Sequence, residues 1–307
     1  MKNYYRVMLG RASQYANECI SGNFIGADFG IKQDLSGKLP EEWRGFNREF
    51  IPIYLALHPG KSKVAAGLAC GALWTVCRGI TSSDTVICPD GTKQYRVGEL
   101  SGDYYYEPGG ILPHRRPIRW LKTISRAEMS QALKDSAGAI GTVSTITRHC
   151  DEIERLIGGA RPPTIVATDA TVEDPISFVL EEHLEAFLVG NWAQTDLARE
   201  YDIYEDNGEK VGQQYPTDTG AIDILAISRD KKKLLVLELK KGRASDVVVG
   251  QILRYMGYVQ EELAEDGQIV TGVIIALEDD QRIRRALAMV PSIVFYRYQI
   301  SFKLVKA

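Results

Sequence analysis

Three ionisable residues interrupt two apolar segments in the second half of the chain. Asp223 lies between Ile222 and Ile224, and Glu238 and Lys240 end the run LLVLELK. The two segments predict the strands of one hairpin, and because side chains alternate along a strand, Glu238 and Lys240 share a face. If Asp223 lies opposite, three charges converge where burial requires that they compensate one another or bind a metal ion. A hard divalent cation held by two carboxylates meets that requirement.

The chemistry that suits such a group is hydrolysis of a phosphodiester bond. A divalent cation polarises a phosphoryl oxygen and acidifies a water molecule, while a nearby ammonium orients or deprotonates that water. Lysine fits the second task because its pKa changes readily with its surroundings. The competing interpretation is a solvated strand end, since an aspartate followed by 14 residues and then E-x-K also occurs by chance.

The segment GAIDILAISRDKKKLLVLELKKG, followed by GQILRYMGYV, resembles the PD-(D/E)XK nucleases, most closely the NucS-like and Mrr-like branch. The resemblance covers about residues 181–259. It implies that Asp223 and Glu238 bind Mg²⁺ or Mn²⁺, that Lys240 is the catalytic lysine, and that Gln251 braces the site from a helix. Ile222 stands where the superfamily name has proline, which is a common variation.

The superfamily pattern also has an acidic residue on an upstream helix, and this resemblance makes that residue a third metal ligand. The run EEHLE offers Glu181, Glu182 and Glu185. At about 100° per residue, Glu181 lies at the margin of the predicted buried stripe, Glu185 farther out and Glu182 nearly opposite. Glu181 is therefore the preferred candidate, and the other two are expected on a solvated helix face. The stripe consists of Leu180, Leu184, Phe187 and Leu188.

Residues 171–307 are predicted to form an α/β domain around a mixed sheet, with the PD-(D/E)XK nuclease fold that the resemblance implies. The pattern places strands at 221–228, 233–240, 269–277 and 293–304. Helices are predicted at 174–189, 245–264 and 279–290, on both sides of the sheet.

Residues 1–128 predict a separate, smaller and mostly β domain with one or two helices, so the chain is α+β overall. A helix is expected at 9–20 and an apolar helix at 64–77, with a loop at 30–45 and short strands at 23–29, 85–88, 94–100, 103–106 and 118–121. Residues 126–137 and 144–157 look helical, and the GGARPP run at 158–163 cannot continue a helix. Residues 129–170 are therefore predicted to be a helical connector and linker.

Charge divides the chain in the same way. The formal net charge is −3. Residues 1–128 carry +5, residues 129–170 carry −1, and residues 171–307 carry −7. A basic first part can attract polyanions, whereas the second part has a surplus of carboxylates.

Basic and aromatic residues are combined near the end of the first part. PHRRPIRWLKTISR follows the run Tyr104-Tyr105-Tyr106, and such residues contact phosphates and stack on bases, respectively. The segments VGELSGDYYYE and PHRRPIRWL, after TVICPDG, resemble the PUA/EVE-like β-barrel domains, over about residues 5–120. This resemblance implies a nucleic-acid reader with a base-reading pocket. The expected nucleic-acid contacts are Arg115, Arg116, Arg119, Lys122, Tyr105 and Trp43, with Lys241 and Arg243 in the second domain.

Composition excludes several other classes of protein. The five cysteines include no C-x-x-C pair, which argues against a disulfide scaffold and a zinc site and favours a reducing cytosol. The first ten residues lack the apolar core of a signal peptide. The longest apolar run is too short to span a bilayer, which needs about 20 residues. A cytoplasmic protein with no membrane role is expected.

These patterns together predict a metal-dependent DNA endonuclease. The primary interpretation is restriction of, or defence against, foreign DNA, base-modified DNA included. The alternatives are a NucS-like repair nuclease acting on mismatched or branched DNA, a non-catalytic nucleic-acid-binding protein, and an RNA-directed reader. A homodimer is expected if both strands of a duplex are cut, because two-fold symmetry presents one site to each strand. Under the primary interpretation, other proteins of a defence system are further expected partners.

Overall fold

The structure is a computed structural model that describes residues 2–138, 141–158, 184–206 and 210–298, with Lys241 described by its backbone alone. The chain divides into two compact units, Met1–Ile165 and Val166–Ala307. Both units combine helices with a mixed sheet, which confirms the predicted α+β class. Within the described ranges no helix has the length and apolar character needed to cross a membrane.

The first unit is built on a seven-stranded sheet with the order β2-β6-β4-β3-β1-β7, and β5 pairs with β6. Strands β1 and β3 run parallel, whereas the other neighbours run antiparallel. The long strand β6 carries a bulge opposite Val97 and Gly98. The strands are β1 (Tyr4–Val7), β2 (Phe24–Ala27), β3 (Thr85–Pro89), β4 (Gln94–Leu100), β5 (Tyr105–Tyr106), β6 (His114–Ser125) and β7 (Val143–Thr145).

Three helices cover this sheet: α1 (Ala16–Gly22), α2 (Trp43–Leu57) and α3 (Lys63–Trp74). The sequence predicted one or two helices and did not identify α2. Helix α3 begins at the N-cap Ser62, whose hydroxyl accepts a hydrogen bond from the backbone N–H of Ala65. Small residues let α3 lie close to α2, since a Cβ at Gly71 would lie 2.9 Å from the Trp43 ring.

The residues predicted as a connector belong to the first unit as far as they are described. Strand β7 pairs with β1, and helices α4 (Gln131–Ala137) and α5 (Cys150–Ile157) contribute Leu133 and Ile153 to a core that also contains Ile87 and Tyr95. The predicted helix at 144–157 is therefore shorter, because Val143–Thr145 pairs in the sheet. The expected linker at 158–163 lies outside the described residues from Gly159 onward, as does the predicted domain boundary at 171.

The second unit has a six-stranded sheet with the order β13-β12-β11-β10-β8, and β9 pairs with β10. Strands β11, β12 and β13 run parallel, and β10 runs antiparallel to β8, β9 and β11. The strands are β8 (Tyr201–Ile203), β9 (Gln213–Thr217), β10 (Gly220–Ser228), β11 (Lys233–Arg243), β12 (Ile269–Glu278) and β13 (Ile293–Arg297). The sequence identified all of them except β8 and β9.

Helical residues 184–190 (α6), α7 (Val247–Tyr258) and α8 (Gln281–Ala288) complete the second unit. Leu184 and Leu188 of α6 pack against a core that contains Leu235, Leu237 and Leu239 of β11. Alternation along β11 therefore turns Glu238 and Lys240 to the opposite face of the sheet. Close approach of α7 to β12 on that face is seen at Gly272, where a Cβ would meet the sulfur of Met256 at 2.7 Å.

Candidate active site of the second unit

The sheet places Asp223, Glu238 and Lys240 side by side. Ile224 of β10 pairs with Leu237 of β11, so the same register sets Asp223 opposite Glu238. The Asp223 carboxylate also accepts a hydrogen bond of 2.7 Å from the backbone N–H of Leu239. The predicted convergence of three ionisable residues on a strand pair is therefore present.

Glu238 is almost fully buried, with 2% of its surface exposed. Its Oε1 lies 3.4 Å from Nζ of Lys240, whose side chain is 21% exposed. Burial of a carboxylate is costly unless an opposite charge or hydrogen bonds compensate it, and Lys240 supplies such a charge. The lysine thus has one end of its side chain at a buried carboxylate and retains access to solvent.

Glu185 of α6 joins the group through two glutamines. It is 6% exposed, and its carboxylate accepts hydrogen bonds from Nε2 of Gln213 at 2.7 Å and Nε2 of Gln214 at 2.5 Å. The Gln214 amide also donates to Oδ1 of Asp223 at 3.2 Å. The structure therefore connects the upstream helix with the strand acids.

The expectation that Glu185 lies on a solvated helix face is wrong. The residue is buried because Gln213 and Gln214 of β9 satisfy both of its carboxylate oxygens. The preferred candidate Glu181, together with Glu182, lies outside the described residues. Among the three acids of EEHLE, Glu185 is the one that the described structure brings to the site.

Helix α7 adds two further side chains. Nε2 of Gln251 donates a hydrogen bond of 3.3 Å to the hydroxyl of Tyr255, one helical turn away. Burial raises the pKa of the Tyr255 phenol; the hydrogen bond from Gln251 opposes this, and the nearby carboxylates of Glu238 and Asp223 raise the pKa further. The phenol therefore stays protonated at neutral pH. Sequence reasoning found Gln251 but missed Tyr255, although their i, i+4 spacing places both on one helix face.

The donor set fits a hard divalent cation in chemistry, because it consists of carboxylate oxygens from Asp223, Glu238 and Glu185. Among the described residues, however, no three His, Cys, Asp or Glu side chains are gathered as a ready-made metal site. The amide of Gln214 lies between two of the acids. Cation binding would therefore require the carboxylates to move together.

Two of the predicted phosphate contacts in the first unit are structural residues. Arg116 is 7% exposed and donates to the carbonyl oxygens of Gly102, Cys77 and Ile80 at 3.0, 3.0 and 3.3 Å. Arg115 donates to the Ile111 and Leu112 carbonyls. The prediction that Arg116 contacts phosphates is wrong, because its side chain is buried at the wall of a cleft and its Nε and Nη1 donate to backbone carbonyl groups of the fold.

The Arg115 guanidinium also lies 4.1 Å from the centre of the Phe24 ring. With its carbonyl bonds, this contact gives the half-buried Arg115 a structural role in the first unit, and its expected phosphate contact stays a prediction.

Three of the other predicted basic contacts are on the surface. The Arg119 side chain is 69% exposed and lies 3.1 Å from Glu99. Lys122 is exposed and donates to the carbonyl of Ile157 at 3.3 Å. Arg243 is 64% exposed, with Asp280 at 3.7 Å. The Lys241 side chain lies outside the described part of the structure.

The two aromatic residues predicted to contact nucleic acid are only partly accessible. Trp43 is half-buried with its ring against Gly71, and Tyr105 is a half-buried residue of the short strand β5. Neither lines a cleft of about 680 Å³ in the first unit. Tyr104, Asp103 and Arg78 do line it. A base-reading role for any of these residues stays a prediction.

Arg116→Leu is expected to lower the free energy of unfolding by about 3 kcal/mol, because three buried carbonyl groups lose their donor. Arg119→Gln on the same strand is the matched control and should change it by less than about 0.5 kcal/mol, as is usual for an exposed ion pair. Urea denaturation followed by circular dichroism measures both changes. Equal stability of the two variants would contradict the structural role of Arg116.

Comparison with known protein families gives a different match for each unit. Residues 189–289 match the endonuclease NucS C-terminal domain. The second unit is thus similar to this endonuclease domain over the matched residues. Residues 5–147 match a domain of unknown function (DUF8426). The PUA/EVE-like assignment of the first unit is therefore not supported by a family match.

Two curated relatives align with the second unit. Endonuclease NucS of Methanocaldococcus jannaschii is 29% identical over 102 residues, and that of Pyrococcus furiosus is 28% identical over 103 residues. Each alignment covers 33% of this chain, and they cover 38% and 37% of the two relatives, respectively. The similarity thus spans less than two-fifths of either relative.

Solved structures show only a distant likeness. A repair endonuclease from Pyrococcus abyssi is 14% identical with a TM-score of 0.31, over 69% of this chain and 66% of that one. An EndoMS-dsDNA2 complex is 13% identical with a TM-score of 0.32, over 70% and 68% of the two chains. At these scores the likeness supports no conclusion about activity.

Proposed function

We propose that this chain is a divalent-metal-dependent endonuclease that hydrolyses phosphodiester bonds in DNA, with its active site on β10 and β11. The observation that carries the proposal is the buried Glu238 beside Lys240, with Asp223 held opposite on the neighbouring strand. The match of the same residues to the endonuclease NucS C-terminal domain supports it. A protein that only binds nucleic acid has no need to bury these charges.

Asp223, Glu238 and Glu185 are proposed to hold Mg²⁺ or Mn²⁺ through carboxylate oxygens. The bound cation would supply Lewis-acid polarisation of a phosphoryl oxygen and a more acidic water. Lys240 has its ammonium at Glu238 and its side chain partly open to solvent, so it can orient the attacking water and offset developing negative charge. The protonated Tyr255 phenol and Gln251 support the site from α7.

For the class of DNA, the similarity to NucS favours repair of mismatched or branched DNA over restriction. The restriction hypothesis depended on a PUA/EVE-like first unit, whereas that unit matches a domain of unknown function. The test compares cleavage of plain, cytosine-modified, mismatched and branched duplexes by the full chain with Mg²⁺. Preferential cleavage of mismatched or branched DNA is expected, and preferential cleavage of modified DNA would restore the restriction hypothesis.

Duplex binding is proposed to depend on exposed basic residues of the first unit, whose first 128 residues carry +5. The proposed assembly on DNA is a homodimer, since one chain contributes one site of this kind and two antiparallel strands must be cut. Sedimentation of the full chain with duplex tests this, and a monomer that cuts both strands in one binding event would contradict it.

The double variant Arg119→Gln, Lys122→Gln is expected to reduce the salt dependence of duplex affinity. Each lost phosphate contact lowers the log–log slope by about 0.9, so the slope should fall by up to about two. The control Arg11→Gln, Lys32→Gln removes the same charge from two other exposed positions of the first unit. Fluorescence anisotropy at several salt concentrations measures the slopes, and equal slopes for both double variants would remove Arg119 and Lys122 from the interface.

A further inference from the structure

Gln214 occupies an unusual position between two acids of the site. Register places it opposite Asp223, because Tyr215 pairs with Ile222 and Gln213 pairs with Ile224. Its Nε2 lies 3.2 Å from Oδ1 of Asp223 and 2.5 Å from Oε2 of Glu185. One amide nitrogen, which carries two hydrogens, therefore donates to both carboxylates.

The backbone of Gln214 is adapted to this contact. Its φ of 49° lies in the left-handed region that residues other than glycine rarely adopt. Consecutive strand side chains normally point to opposite faces, yet the amides of both Gln213 and Gln214 reach Glu185. The left-handed conformation breaks the alternation and directs the Gln214 amide between the two acids.

This arrangement makes Gln214 a competitor of the metal. A cation shared by Glu185 and Asp223 needs metal–oxygen distances of about 2.0–2.1 Å for Mg²⁺. The nitrogen of Gln214 instead lies between the two oxygens at hydrogen-bond distances, and no gathered group of three acids exists among the described residues. The amide therefore competes with a cation for Oε2 of Glu185 and Oδ1 of Asp223, the two oxygens to which it donates.

We infer that Gln214 is a positioning residue that fastens Glu185 to Asp223 before the metal binds and is displaced by the cation. The inference rests on the proposed function, since it concerns metal binding by the same acids. In the metal-free protein the amide compensates two neighbouring negative charges. A bound cation would compensate the same two negative charges. The free energy needed to break the hydrogen bonds of Gln214 would then make the binding free energy of the cation less favourable.

Removal of the amide should therefore tighten metal binding while destabilising the metal-free protein. Gln214→Ala in the full chain is expected to bind Mn²⁺ about tenfold more tightly, which corresponds to about 1.4 kcal/mol. Its melting temperature without metal should fall, and the rise in melting temperature on adding Mn²⁺ should exceed that of the wild type. Gln214→Asn, which tolerates the left-handed backbone but is too short to span both acids, should also bind Mn²⁺ more tightly.

The matched control is Gln213→Ala. Gln213 donates to Glu185 at 2.7 Å, whereas the bond to Asp223 comes from Gln214, so removal of the Gln213 amide leaves the bridge in place and should not tighten Mn²⁺ binding. Electron paramagnetic resonance of free Mn²⁺ measures the affinities, and Asp223→Asn shows that the signal reports this site.

The outcomes separate this inference from the proposed function. Mn²⁺ binding that is abolished by Asp223→Asn but unchanged or weakened in both Gln214 variants would overturn the role of Gln214 alone. Equal tightening by Gln213→Ala would also overturn it, because bridging would then be irrelevant. If the wild type and all variants fail to bind Mn²⁺, both the metal-dependent function and the displacement of Gln214 are wrong.

Discussion

Glu238→Gln is expected to lower the rate of DNA cleavage by at least about a thousandfold, equivalent to about 4 kcal/mol of activation free energy. Glutamine keeps the size of the side chain but loses the charge that a hard cation requires from its ligand. Glu238 is buried on a central strand and lies beside Lys240. We therefore expect the loss of cleavage rate to come from a change at the active site. Single-turnover cleavage with Mg²⁺ measures the rate.

The control for this prediction is Glu200→Gln, which removes one negative charge from an exposed position of the same unit and should cleave at the wild-type rate. Circular dichroism and duplex affinity should show that Glu238→Gln still folds and binds DNA. Wild-type cleavage by Glu238→Gln would exclude this carboxylate from the chemistry.

Lys240→Arg is expected to be nearly as damaging as Lys240→Ala, with both losing about a hundredfold or more in cleavage rate. The guanidinium is planar and permanently charged, so it neither accepts a proton nor reproduces a compact ammonium at the attacking water. Lys240 lies 3.4 Å from Oε1 of Glu238, where the larger guanidinium also changes the geometry. Cleavage rates from pH 6 to 9 distinguish a loss of rate from a shift in pH dependence.

A Lys240→Arg enzyme with near-normal turnover at neutral pH would show that positive charge alone is sufficient. Lys233→Arg, at the start of the same strand and away from the acids, provides a control for the substitution itself. Lys233→Arg should retain the wild-type cleavage rate. The loss of rate in Lys240→Arg would then be specific to position 240.

The central hairpin could be predicted from the sequence because its apolar runs are long and alternate regularly. Strands β10 and β11 begin and end close to the predicted limits, and three charges within such runs directly indicated a site. The helix with Gln251 was found for the same reason, as an apolar periodicity over several turns.

The burial of Glu185 could not be predicted, because helical periodicity identifies only the apolar face of a helix that packs on the core. It does not show polar partners on other elements. Glu185 is buried by partners from another element, Gln213 and Gln214. Their strand β9 carries the polar sequence QQYPT and gives no apolar signal. The left-handed conformation of Gln214 has no signature in residue type either.

The first unit shows a related failure. A run of arginines predicted a surface for phosphates, yet β6 alternates between faces, so Arg116 is turned into the fold and Arg119 outward. The buried guanidinium is stabilised by backbone carbonyl groups. Carbonyl partners are present in every residue and leave no trace in the sequence pattern. The density of basic residues in the sequence therefore predicted more phosphate-contacting arginines than the structure exposes.

The central claim is that the acids of β10 and β11 form a metal-dependent nuclease site, and cleavage of an end-labelled mismatched duplex by the full chain tests it most directly. The reaction is followed in EDTA, and then after addition of excess Mg²⁺, for the wild type and Glu238→Gln. We expect no cleavage in EDTA, cleavage by the wild type on adding Mg²⁺, and none by the variant. Cleavage in EDTA, or equal cleavage by both proteins with Mg²⁺, would contradict the account.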